Sequence, residues 1–176
     1  MYNNENNKSA EVPQEGPDFA TDTSVEQTQV EVLLTEREIL DELHRLIGAR
    51  KSQQLLELRR ELLDWNTRVN LTAITNPTEV LLKHFLDSLS LLEVYQAEQA
   101  RVLDIGAGAG FPGLPLKIAR PRWDLVLLEA TGKKVNFQRH SIETLGLQGI
   151  EAIHGRAEDI AHKPAYRGSC LLYTSD

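Results

Sequence analysis

Cysteine is almost missing from this 176-residue chain. The single Cys170 has no partner for an internal disulfide. That excludes a disulfide scaffold and points to a reducing compartment, here expected to be the cytoplasm. No spacing of cysteines and histidines fits a metal site, so no metal is expected. No apolar run approaches the roughly 18 residues of a membrane span. The polar start MYNNENNKSAEVPQEGP also lacks the apolar core of a secretory signal. Positive charge is short as well: 19 Lys and Arg against 26 Asp and Glu leave a net charge of −7. Such a balance excludes coating of nucleic acid by bulk charge, while leaving room for a local basic patch on an acidic body. What remains is ordinary for a soluble globular chain with a real core: 41% hydrophobic and 26% charged residues.

Residues 1–30 are rich in Asn, Glu, Gln, Thr and Ser and have little to bury, so a disordered tail is expected there. A helical segment follows over residues 31–95. Thr35 and Glu38 have the spacing of a capping box, and Ile39, Leu40, Leu43, Leu46 and Ile47 recur at helical period up to Gly48. A second helix is expected from about Ser52 to Asn66. A third opens at Asn76-Pro77-Thr78-Glu79, with a restart or bend at Asp87-Ser88. From residue 96 the pattern changes. Val102 to Ile105, Leu125 to Glu129 and Ile150 to Ile153 read as short buried strands, separated by helices over Pro112 to Arg120 and from Thr131 or Gly132 to Gly146. Strand, helix, strand, helix, strand means a doubly wound α/β unit over residues 96–176.

In that architecture a ligand sits at the carboxyl ends of the strands. Those ends carry Asp104, Gly106, Gly108 and Gly110 on one side and Glu129 on the other. Glycines let a backbone come close to a ligand, and a carboxylate at the second strand tip can accept from both hydroxyls of a ribose. Gly108 to Gly113 also matches the G-x-G-x-x-G pattern of a dinucleotide site, with Glu129 about 20 residues on. Against a pyrophosphate stand Asp104, which would repel a dianion, and Pro112, which removes an amide from a helix start. Two carboxylates suit a positively charged adenosine derivative better, and S-adenosylmethionine is one.

Several stretches together resemble one family. Asp104-Ile-Gly-Ala-Gly-Ala-Gly-Phe-Pro-Gly-Leu-Pro-Leu116 is similar to motif I of class I methyltransferases. In its GFPGLPL form it resembles the bacterial ribosomal RNA small-subunit methyltransferase G family. Trp65-Asn66 with Asn70-Leu71-Thr72, the stretch His84 to Leu89, and Leu128 to Lys134 are similar to further motifs of that family. The match runs from about Leu33 to Ala161. It implies a class I S-adenosylmethionine-dependent (Rossmann-like) methyltransferase fold, incomplete here, with an N-terminal helical layer. The implied reaction is methyl transfer to a guanine N7 of 16S ribosomal RNA. The resemblance further implies that Gly106 and Phe111 border the cofactor, that Glu129 holds its ribose, and that Ala157-Glu158 lie along its adenine. It adds a site role for Asn70, His84 and Asp87.

Guanine N7 carries a lone pair and no proton, so no catalytic base is assigned. Lys133 and Lys134, at the cofactor edge of the sheet, are candidates for RNA phosphate contacts. Arg139 and His140 share their helix. Arg120, Arg122 and Arg156 read as dispersed, and solvation is the expectation for the first two. The expected partner is 16S RNA or the small ribosomal subunit, with no membrane and a monomeric chain. After Gly168 the sequence SCLLYTSD departs from the family's acidic residue, strand and S-R-A segment. Cys170 to Tyr173 can pass for part of a fourth strand, but a truncated or frameshifted product is the expectation. Two other classes stay open: an NAD-dependent oxidoreductase, and an inactive fragment of the methyltransferase.

Overall fold

A computed structural model describes residues 34–162 and the backbone of residues 172–175. The expected tail over residues 1–30 lies outside the described residues, as do Gly168 and Cys170. Helix α1 (Glu36–Ile47) opens on the expected capping box. Glu38 N–H donates to Thr35 Oγ1 at 3.3 Å, and Thr35 N–H donates to Glu38 Oε2 at 2.7 Å. Gly48, at φ 82°, ends α1 and immediately starts α2 (Ala49–Asn66). The second helix thus begins earlier than expected. Ser52 does not cap it; it is buried, with its hydroxyl donating to Gly48 O at 3.0 Å.

Asn76 caps α3 (Pro77–Glu79) by accepting from the amides of Thr78 and Glu79 at 2.9 and 3.2 Å. The chain then continues without a break through a π-helical stretch (Val80–Leu86) into α4 (Asp87–Val94). The restart expected at Asp87 is a change of hydrogen-bond period within one continuous helix. A side-chain pattern does not reveal such a change.

The remaining elements are β1 (Arg101–Ile105), α5 (Gly113–Ala119), β2 (Asp124–Glu129), α6 (Gly132–Thr144), β3 (Ile150–His154), α7 (Ala157–Ala161) and β4 (Leu172–Ser175). All four strands are parallel, in the order β3-β2-β1-β4. Leu103 pairs with Val126 on one side and with Tyr173 on the other. Of the stretch read as able to supply part of a fourth strand, Leu172 and Tyr173 lie in β4, and Cys170 and Leu171 lie outside the described residues. The strand order reverses beside β1, and that places the loop after β1 at the switch point where such folds bind ligands.

The main core joins the helical segment to the sheet. Leu55, Leu58 and Leu62 of α2 and Phe85 share one cluster with Leu114, Ile118, Val135 and Phe137. A second cluster surrounds Trp123, whose indole N–H donates to Ala97 O at 2.9 Å. The described residues form one compact unit. Among the described residues, no helix is long and apolar enough to cross a membrane.

Candidate active site at the glycine loop

The loop after β1 is hooked onto the neighbouring strand. Gly106 and Ala107 amides both donate to Leu128 O, at 2.8 and 3.1 Å. One side of this loop is bare. A methyl group at Gly106 would meet nothing within 4 Å, and one at Gly108 would meet only Gly106 O, at 3.8 Å. Glycine is required at both by positive φ, 76° and 56°, and not by crowding. Gly110 and Gly113 differ. A methyl at Gly110, which also has a positive φ of 95°, would strike Leu114, and one at Gly113 would strike Leu127 and lie 2.8 Å from Asp104 Oδ2. They are packing glycines, turned toward the body of the protein.

Glu129 ties the loop to the start of α6. Its Oε2 accepts from Gly108 N–H at 2.9 Å and its Oε1 from Thr131 N–H at 2.7 Å. The residue as a whole is 7% exposed. Burial pushes its pKa up. The Thr131 hydroxyl and amide, the Gly108 amide and the Lys134 charge outweigh that and hold it below the usual carboxylate range. With the two amides and the Thr131 hydroxyl bound, one of the carboxylate's four acceptor sites is left for another donor. On the opposite group of the same glycine, Gly108 O accepts from buried Gln138 Nε2 at 2.9 Å.

The helical segment reaches the loop through a chain of contacts. Asn66 Oδ1 accepts from the amides of Leu71 and Thr72 at 2.8 and 3.1 Å, and its Nδ2 donates to Thr72 O at 3.0 Å. Thr72 Oγ1 lies 3.0 Å from His84 Nε2. The His84 ring stacks flat on Phe111, with centroids 4.4 Å apart and planes 5° apart. Beside this stack lies a cleft of about 730 Å³. Gly108, Phe111, His84, Asp87 and Lys134 all line it, with Lys83 at its rim held by Glu79 at 2.7 Å.

Other residues singled out in the sequence sit elsewhere. Asp104 is 1% exposed, and its Oδ2 accepts from Gly113 N–H at 3.0 Å. It braces the start of α5 and is not the open carboxylate expected at the strand tip. Asn70 and Lys133 are exposed and do not line the cleft. Ala157 and Glu158 form the first turn of α7, after β3. Arg139 is committed to Ala152 O at 3.1 and 3.2 Å, and His140 to Glu61 at 2.8 Å. Asn66, not Asn70, organises the W-N-x-x-x-N-L-T stretch. Its place at a helix end before a short loop was the available signal. Gln138 gave no signal, because its partner is a backbone carbonyl 30 positions away.

These arrangements also separate the rival ligands. A pyrophosphate needs free amides at the start of α5. The Gly113 amide goes to Asp104, the Leu114 amide goes to Gly110 O at 2.7 Å, and Pro115 has none. The fold and loop are those of a class I, Rossmann-like methyltransferase. Solved structures agree on the fold. A protein-L-isoaspartate O-methyltransferase aligns with TM-score 0.53 at 14% identity, over 80% of this chain and 47% of that one. A Klebsiella pneumoniae protein assigned as an O-methyltransferase aligns with TM-score 0.52 at 20% identity, over 68% and 52%.

The family model for rRNA small subunit methyltransferase G matches residues 51–171, and the chain belongs to that family. Ribosomal RNA small subunit methyltransferase G of Myxococcus xanthus is 55% identical over 113 residues, covering 64% of this chain and 51% of that protein. The Desulforamulus reducens protein of the same name is 52% identical over 107 residues, covering 60% and 45%. The chain spans about half the length of the curated relatives it matches.

Proposed function

We propose that this protein is a cytoplasmic methyltransferase that uses S-adenosylmethionine to methylate a guanine N7 of 16S ribosomal RNA in the small subunit. The observation that carries the reading is the pairing of a bare glycine loop with a low-pKa carboxylate, where α5 has no first-turn amide left for a phosphate. The residues fit S-adenosylmethionine. The open side of Gly106 and Gly108 admits an adenosine derivative, and Glu129 retains one acceptor site for a ribose hydroxyl. Gly110 and Asp104 hold the loop's shape from behind. Ala157 and Glu158, past the end of β3, are assigned to the adenine.

When bound, the cofactor supplies an electrophilic methyl group on a positively charged sulfur. Guanine N7 offers its in-plane lone pair without losing a proton, so the chain's part is alignment and exclusion of water. In this reading Phe111 and His84 form the wall against which the base is placed. Asp87 and Asn70 serve the RNA side, and Lys133 and Lys134 take its phosphates. The names of the relatives support the substrate class. Calorimetric titration with S-adenosylhomocysteine and with NAD tests the cofactor, and transfer of labelled methyl to unmethylated small subunits tests the reaction. Tight NAD binding without a response to S-adenosylhomocysteine would overturn the reading. Cofactor binding without methyl transfer would reduce it to a binding fragment.

A further inference from the structure

Cations that are far apart in the sequence meet near the amino end of β2, away from the glycine loop. Arg50 and Lys51 open α2, while Arg120 and Arg122 flank Pro121 between α5 and β2. Two adjoining grooves share Lys51 and Pro121. One, of about 560 Å³, includes Arg120 and Arg122; the other, of about 300 Å³, includes Arg50 and Lys117. The sequence alone left Arg120 and Arg122 as solvated side chains; the fold gives them company.

Their charge is incompletely neutralised. Glu98 approaches Arg122 at 3.6 Å, but both side chains are mostly exposed, so the pair is weak. Asp124 acts on Lys117, which is 2% exposed and donates to Pro121 O at 3.0 Å and to Trp123 O. Lys117 therefore shapes the turn that presents the two arginines. Lys51 donates to Ala119 O at 2.8 Å, and burial together with the Arg120 charge pushes its ammonium below the usual lysine range. Crowded like charges on a chain of net charge −7 mark a place where a polyanion is welcome. The end of α4 joins this face to the cleft: Leu91 and Val94 line the cleft, and Leu92 lines the groove.

We propose that this face is a second phosphate-binding surface, which grips the backbone of the folded target RNA away from the guanine being methylated. The proposal rests on the RNA-methyltransferase reading of the cleft. The length of β2 sets the patch about 17 Å from the glycine-loop end of the cleft, while the other end of the cleft reaches α4 beside the groove. A folded RNA domain or a ribosomal particle seated at the glycine loop has the extent to continue across the end of α4 onto the patch. Arginine forks suit phosphate oxygens, and each neutralised phosphate adds to the salt dependence of binding.

The test is a triple variant, Arg50→Gln, Arg120→Gln and Arg122→Gln, in the full chain. Fluorescence anisotropy across a potassium chloride series would measure binding of a folded 16S RNA domain, a short single-stranded oligonucleotide carrying the target guanine, and polyglutamate. Calorimetry would measure S-adenosylhomocysteine. The expected result is unchanged S-adenosylhomocysteine and oligonucleotide binding. The log–log salt slope for the folded RNA should shrink by about two, with affinity falling roughly 10-fold or more at moderate salt. An unchanged slope overturns the proposal. So does an equal dependence of polyglutamate binding on the three arginines, which would mark a generic anion surface. If the unaltered chain ignores S-adenosylhomocysteine while its RNA slope still depends on the patch, the cofactor reading fails and the phosphate surface stands.

Discussion

A single carboxylate holds the glycine loop in register with the second strand. Glu129→Gln keeps one carbonyl acceptor but turns an NH₂ group toward a backbone amide, so either Gly108 or Thr131 loses its partner. The expected cost at pH 7 is about 1–3 kcal/mol, read by urea denaturation. The pH dependence follows from the direction of the shift. The carboxyl pKa is lowered in the folded chain, so the stabilisation is complete above the unfolded value of about 4.3 and is lost as pH falls through the lower folded value. The gap between variant and parent should stay constant from pH 7 to about 5 and narrow below that. A gap that widened on acidification would mean the carboxylate is not the stabilised form. Gly113 gives a second prediction at this scale. A methyl there meets Leu127 and the Asp104 carboxylate that already accepts the Gly113 amide. Gly113→Ala should cost about 1–3 kcal/mol, and an unaltered denaturation midpoint would show that α5 shifts freely.

Between elements, the decisive part is the short loop after α2. Three hydrogen bonds from Asn66 fold residues 71 and 72 back onto the helix end, which sets Thr72 against His84 and His84 against Phe111. Asn66→Ala should cost about 1–3 kcal/mol. It should also speed hydrogen exchange at the Leu71 and Thr72 amides while leaving the amides of α1 protected. Equal exchange in variant and parent would remove Asn66 from the clamp. This scale also shows what the sequence could and could not disclose. Caps are local chemistry, so Thr35–Glu38 and Asn76-Pro77 announced their helices directly. The first strand announced itself as a short apolar run before Gly106, and the second as the apolar run Leu125 to Leu128. The π-helical stretch was illegible, because a changed hydrogen-bond period leaves the apolar pattern of Val80 to Phe85 intact. The site was half legible. Glycines and Glu129 are readable from spacing. The burial of Asp104 beneath α5 and the gathering of Lys134 with His84 depend on how two layers pack, and no local pattern encodes that.

At the scale of the whole molecule, the question is whether the helical segment and the sheet stand or fall together. Leu58 of α2 is fully buried and shares one cluster with Leu114 of α5 and Phe137 of α6. Trp65 adds an edge contact to Phe137, with ring centroids 5.7 Å apart. A boundary near residue 95 is then a boundary between layers that share a core, and we expect a single cooperative transition. Two tryptophans make this measurable. Trp65 reports from the helical layer, and Trp123 reports from the start of β2, in a different cluster beside Tyr95. In the Trp65→Phe and in the Trp123→Phe background, the surviving indole should follow the same urea midpoint as the far-ultraviolet circular dichroism of that same variant. Adding Leu58→Ala should lower both midpoints together, by about 2–5 kcal/mol of stability. If the Trp65 signal moved while the Trp123 signal stayed, the two layers would be separate folding units. The glycine loop would then be supported by the sheet alone, and the contacts from His84 to Phe111 would join two independent bodies, not close one site.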